Sequence, residues 1–164
     1  LQNYLPARDG DIVVVVTRAT VGSHVGVLYY TIGQRKGLGI GGNNGRWFVV
    51  GKDVNRNILY VANNENRHYL ESDSCLVSHV NWLADADLPE KGAAKFRYRQ
   101  KDNPVIMEKY DDDLILLKYP QKVEAVTPGQ QAVFYRNDLC LGGGTIEKTF
   151  LNGRDCQSLI RGEV

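Results

Sequence analysis

No apolar run in this 164-residue chain approaches the ~20 residues a membrane-spanning helix needs. No basic, apolar, small-residue leader is visible either, so nothing reads as a secretion signal. Cysteine is scarce: Cys75, Cys140 and Cys156 are odd in number, widely spaced and without C-x-x-C or Cys/His ligand spacing. A reduced, cytoplasmic protein is the simplest reading, with no metal site. Charge is almost balanced, at a formal +1, so bulk electrostatics does not announce a nucleic-acid binder and any such role must rest on local clustering. His24, His68 and His79 have no partner at catalytic spacing, and Asp111-Asp112-Asp113 reads as a solvated hairpin tip. No nucleophile–base pair and no ATP loop is present among these residues.

Glycine, by contrast, is concentrated. Five glycines fall within the ten residues Gly33 to Gly42, around Gln34-Arg35-Lys36. Glycine costs backbone entropy and gives positive φ or close backbone approach in return. Gly37, Gly39 and Gly42 fit G-x-G-x-x-G by letter, but the dinucleotide fingerprint needs a helix opening after it, and here Asn43-Asn44-Gly45 and a strand follow. Two readings stay open: a turn packed close to a neighbour, or a loop whose Gln34, Arg35 and Lys36 meet RNA backbone.

A second cluster is Lys95-Phe96-Arg97-Tyr98-Arg99-Gln100-Lys101. Read as part of a strand over 93–101, it places Lys95, Arg97, Arg99 and Lys101 on one face and Phe96 and Tyr98 on the other. A polyanion would relieve the repulsion along such a row. Edge protection against sheet-to-sheet association explains the same charges without a ligand.

The remaining pattern is mainly β. Leu1 to Pro6 looks like the end of a helix, as if the chain were cut from something longer. Ile12–Val16 reads as a strand and Val21–His24 as a turn. Val25–Thr31 is expected to form a short helix capped by Ser23. Trp47–Gly51 and Ile58–Ala62 read as a hairpin, and a polar stretch places a domain boundary near residue 70. Beyond it come strands at Cys75–Trp82, Ala93–Lys101, Val105–Tyr110, Leu114–Tyr119, Gln131–Tyr135 and Leu139–Leu141, with a bend at Gly142-Gly143-Gly144. Asn152-Gly153 is expected to turn into one more strand at Cys156–Ile160. Strands of this length and spacing suggest a small barrel or sandwich.

The residues Tyr30-Thr31-Ile32-Gly33-Gln34-Arg35-Lys36-Gly37-Leu38-Gly39-Ile40-Gly41-Gly42 resemble the central-domain signature of the bacterial tRNA-specific 2-thiouridylases, the MnmA/TrmU family. Four further blocks agree in order: Trp47–Asp53, Phe96–Gln100, Val126–Gln130, and Ala132–Tyr135 running on to Cys140–Gly144. The resemblance implies a small central β-rich domain with a short helix (1–70), a six-stranded antiparallel β-barrel like an elongation-factor domain (71–150), and an extension (151–164) to which it assigns no role. It implies a parent enzyme that uses ATP with magnesium and a persulfide sulfur to thiolate C2 of the wobble uridine, position 34, of tRNA. The ATP-binding N-terminal domain and both catalytic cysteines have no match here, so this chain alone is expected to hold no cofactor and to be inactive. Expected partners are tRNA, the missing domain and a sulfur-relay persulfide donor protein, with no membrane. Carried over by position, tRNA contacts fall on Arg97, Tyr98 and Gln130, with Gln34, Arg35 and Lys36 as further tRNA or interdomain contacts. A β-barrel protein–protein module is the alternative, and a nucleotide-dependent enzyme built on the glycine loop a third.

Overall fold

A computed structural model describes residues 8–40, 46–97 and 101–163. The expected helix end at Leu1 to Pro6 lies outside them, as do Gly41 to Gly45 and Tyr98 to Gln100. The chain divides into two compact units, Leu1–Leu70 with Gln157–Val164, and Glu71–Cys156.

The first unit is built on a four-stranded sheet, β1 (Gly10–Val14), β2 (Thr20–His24), β3 (Phe48–Asp53) and β4 (Ile58–Ala62), in the order β2-β1-β4-β3. β3 and β4 form the expected antiparallel hairpin, and β1 runs parallel to β4 from Asp11↔Ile58 to Val14↔Val61. Apolar β-branched residues suit the two inner strands, and Ile12, Val49, Leu59 and Val61 are fully buried. Val21–His24, expected as a turn, belongs to edge strand β2: Asp11↔Ser23 and Ile12↔Gly22 pair across the sheet. Ser23 therefore caps nothing. The expected helix over Val25–Thr31 shrinks to one 3-10 turn, Val27–Tyr29, entered through Gly26 at φ 147° without a side-chain cap. Its place is fixed from outside. The buried His24 accepts a bond from Gly26 N at 2.9 Å on Nδ1, and its Nε2 lies 2.9 Å from Asn57 O.

The second unit is a closed six-stranded antiparallel barrel. Its strands are β5 (Glu71–Trp82), β6 (Glu90–Lys95), β7 (Asn103–Asp111), β8 (Leu114–Glu124), β9 (Gln131–Arg136) and β10 (Leu139–Leu151). Neighbours run β10-β5-β8-β7-β6-β9, and β9 pairs back onto β10 to close the ring. Alternate residues point inward, giving a core of Val77, Ala94, Phe96, Met107, Leu117, Phe134, Leu141 and Ile146. Register shifts between Cys140/Gly142 and Gly143/Thr145 put the expected irregularity at the triple glycine.

The end of the chain departs from expectation. Asn152 and Gly153 do turn the strand, into β11 (Arg154–Asp155), but Cys156–Arg161 is an α-helix, α1. Ile160 on α1 is 1% exposed, and its Cγ2 lies where a side chain on Gly51 would stand, 2.7 Å from that Cβ position. Gln157 Nε2 donates to Val50 O at 3.3 Å. Residues 157–163 thus pack within the first unit, while 151–156 count with the barrel.

The barrel core also holds a titratable group. Cys75 is fully buried, and burial pushes its thiol from 9.0 up to about 12. The unfolded thiol loses its proton near its ordinary value while the folded one keeps it, so the unfolded state binds fewer protons in that window. Barrel stability should therefore decline as pH rises from about 9 toward about 12. Urea melts at stepped pH should show this decline, and Cys75→Ala should make it shallower. An unchanged slope in the variant would contradict the assignment.

Candidate nucleic-acid interface

β6 and β9 run antiparallel with Lys95 opposite Val133, so the outgoing end of β6 meets the incoming end of β9. At this end a cleft of about 710 Å³ opens, lined by Lys95, Phe96, Arg97, Gln130, Gln131, Val133 and Tyr135. Phe96 forms part of its floor. It is 1% exposed, and its ring lies 5.4 Å from that of Tyr119. With Phe96 pinned inward, the next residue, Arg97, is turned out and is exposed. Gln130 follows the turn Thr127-Pro128-Gly129, where Gly129 adopts φ 92°. Its backbone is clamped on both sides: Gln130 N donates to Thr127 O at 3.1 Å, and Ile146 N donates to Gln130 O at 2.8 Å. Beside it, Gln131 Nε2 donates to Thr145 Oγ1 at 3.0 Å.

The structure thus brings Arg97 and Gln130 to one cleft. Tyr98 lies outside the described residues. The strand expected over 93–101 is cut short among the described residues: β6 ends at Lys95, and Arg97 lies in a bend. The reason is pairing. β7 begins at Asn103 opposite Ala94, and among the described residues β9 supplies no ladder partner past Lys95. Asn103 Nδ2 instead bonds Ala94 O at 3.3 Å and Lys101 O at 3.4 Å. Arg99 lies outside the described residues. Lys95 is not a free cation: its Nζ is 3.6 Å from Asp102 Oδ1 and 5.4 Å from the Tyr135 ring centroid.

Sequence reasoning passed over Gln131, Tyr135 and Asp102. The signal available was an aromatic residue and a glutamine alternating on β9, which only the β6–β9 pairing turns into a cleft wall.

The glycine loop belongs to the other unit. Gly33, Gly37 and Gly39 have φ of 93°, 78° and 65°, conformations that glycine alone adopts without cost. Gly33 N donates to Val49 O at 2.8 Å and Val49 N donates to Gln34 O at 3.0 Å, so the loop is tied to β3. The Gln34 side chain closes the loop on itself, accepting from Thr31 N at 3.0 Å and donating to Lys36 O at 2.9 Å. Arg35 lies 5.1 Å from the centre of the Phe48 ring and reaches Asn64 Oδ1 at 3.4 Å, while Lys36 is exposed. The Gly33 N–H is spent on Val49 O, and the next described element is strand β3 rather than the helix a dinucleotide fingerprint opens.

Cys75 and Cys156 do not present activated thiols. Burial pushes Cys75 up to about 12 and raises Cys156, opposite to the depression a nucleophile needs. Cys156 is half-buried, with Sγ 3.7 Å from Glu71 O. Among the described residues no group of three His, Cys, Asp or Glu side chains is placed to hold a metal ion. None of the helices described is long and apolar enough to cross a membrane.

Two family descriptions match: a tRNA methyl transferase PRC-barrel domain over residues 1–63, and an aminomethyltransferase beta-barrel domain over residues 72–146. Relatives include the tRNA-specific 2-thiouridylase MnmA of Mycoplasma mycoides subsp. mycoides SC, 48% identical over 154 residues, covering 90% of this chain and 41% of the relative. That of Geobacillus thermodenitrificans is 48% identical over 155 residues, covering 93% of this chain and 42% of the relative. That of Bacillus cytotoxicus is 44% identical over 161 residues, covering 97% of this chain and 43% of its own length. At 97% coverage this last match takes in most of the extension 151–164. The chain therefore spans about two-fifths of the length of these relatives, 41% to 43%. In sequence and in its two matched domains, the chain belongs to the tRNA-specific 2-thiouridylase family.

Proposed function

We propose that this chain is the tRNA-gripping part of a tRNA-specific 2-thiouridylase. The parent enzyme thiolates C2 of the wobble uridine of tRNA in the cytoplasm, with ATP, magnesium and a persulfide sulfur handed over by a donor protein. The chemistry belongs to a catalytic domain outside this chain, and the chain alone neither binds ATP nor transfers sulfur. One observation carries the reading. Arg97 and Gln130, far apart in sequence, line a single cleft that also holds Lys95 and an aromatic wall.

An exposed guanidinium beside a glutamine suits phosphate and sugar contacts, which position RNA without reading its sequence. Tyr98, next in the chain, adds a stacking or hydroxyl contact. Arg35 and Lys36 are second-rank contacts, to tRNA or to the catalytic domain.

Equilibrium titration of an unmodified tRNA transcript against salt tests this. The full 164-residue chain should show a negative log–log slope, and Arg97→Ala should make it shallower by about one unit, with weaker binding at low salt. No salt dependence, or no effect of Arg97→Ala, would contradict the reading and favour a β-barrel protein-interaction module.

A further inference from the structure

We propose that Lys95 is a further phosphate-binding residue of this cleft and that Asp102 is its resident counter-ion, displaced when RNA phosphate arrives. The proposal rests on the reading of the cleft as an RNA site and extends it to two residues with opposite roles.

The geometry is specific. Lys95 lines the same cleft as Arg97 and Gln130, and it is the last residue of β6, so the ladder fixes its backbone. Its ammonium is held from two sides, by Asp102 Oδ1 at 3.6 Å and by the Tyr135 ring at 5.4 Å. The ring keeps the cation at the cleft wall. The carboxylate is the anion now paired with that ammonium, the partner an incoming phosphate would replace. Neither partner is buried: the side chains are 41% and 48% exposed, so the pair is open to solvent and to exchange. An exposed pair of this kind is weakly held, and a phosphate oxygen can replace the carboxylate without crossing a large barrier of desolvation.

This exchange sets the affinity. A phosphate bound by a free lysine releases a condensed cation from RNA into solution. A phosphate that displaces Asp102 leaves the carboxylate close by, so the net positive charge Lys95 offers the RNA, and with it the salt dependence there, is reduced. The cleft grips RNA through Arg97 at full strength and through Lys95 at reduced strength.

The experiment titrates the full 164-residue chain with an unmodified tRNA transcript across salt, for wild type, Asp102→Asn, Lys95→Ala, the double variant and Arg97→Ala. Asp102→Asn should tighten binding at low salt, by up to about fivefold, the scale of an exposed ion pair. It should also steepen the slope by up to about one unit. Lys95→Ala should weaken binding, and the double variant should match Lys95→Ala, because Asp102 acts only through Lys95. Binding that is unchanged or weaker in Asp102→Asn overturns the proposal, since Asp102 would then be neutral or a mere positioner of Lys95. So does tightening that persists in the Lys95→Ala background, which would reflect general charge. If Arg97→Ala alone leaves affinity and slope unchanged, the cleft is not the RNA site and both readings fall. An Arg97 effect with no Asp102 effect overturns only this one.

Discussion

Phe134→Ala should lower barrel stability by about 3–5 kcal/mol, the range for emptying a fully packed aromatic site. Phe134 is 0% exposed on β9, the strand that closes the ring by pairing with both β6 and β10. Its ring lies 5.9 Å from that of Trp82 on β5, across the barrel from the β6 side. Truncation removes that ring contact and leaves a void where side chains from several strands meet. Little collapse can fill the void, because the six strands are held in a closed ladder. Losses of this size approach the total stability of a small domain. Urea denaturation followed by tryptophan fluorescence reads the effect directly. A shift below about 1 kcal/mol would mean the core repacks freely and the closed-barrel packing described above is wrong.

Gly142→Ala should cost about 2–6 kcal/mol, for two separable reasons. Gly142 has φ of 150°, where a side chain is strained, at about 1–3 kcal/mol. A Cβ there would also stand 2.3 Å from Asn81 O, a backbone atom that cannot swing away. Relieving that overlap costs a further 1–3 kcal/mol or so. Gly142 pairs with Trp82 on one side and Phe134 on the other, so any shift is passed to both rings. Gly129 gives the control. It has φ of 92° but nothing within 4 Å of its Cβ position, so Gly129→Ala should show the strain alone. Equal losses at the two sites, measured by the same melts, would show that the close approach at Asn81 is not real.

These two sites also show how far the chain could be read before the fold was known. The barrel strands announce themselves by alternation, as in Val105–Tyr110 and Leu114–Tyr119, and the triple glycine marks its own bulge. Segments decided by distant partners did not. Val21–His24 carries the Gly-Ser letters of a turn, yet becomes an edge strand because β1 offers it a ladder. Cys156–Ile160 contains adjacent apolar residues compatible with strand or helix. What favours the helix is burial of Ile160 against Gly51, a contact between distant parts of the sequence. The candidate site divides the same way. Arg97 and Gln130 were named through resemblance to a family, whereas their convergence on one cleft depends on the antiparallel pairing of β6 and β9. The strand expected over 93–101 ends early because alternation describes a strand only while the backbone has partners, and among the described residues the β6–β9 ladder stops at Lys95.

The central claim is that RNA lies in the cleft between the end of β6 and the start of β9. Ultraviolet cross-linking of an unmodified tRNA transcript to the full 164-residue chain, followed by peptide mapping, addresses it most directly. Cross-linked peptides should contain Lys95 to Arg97 or Gln130 to Tyr135, and their yield should fall in Arg97→Ala. Cross-links confined to other surfaces of the chain, or a yield indifferent to Arg97, would contradict it.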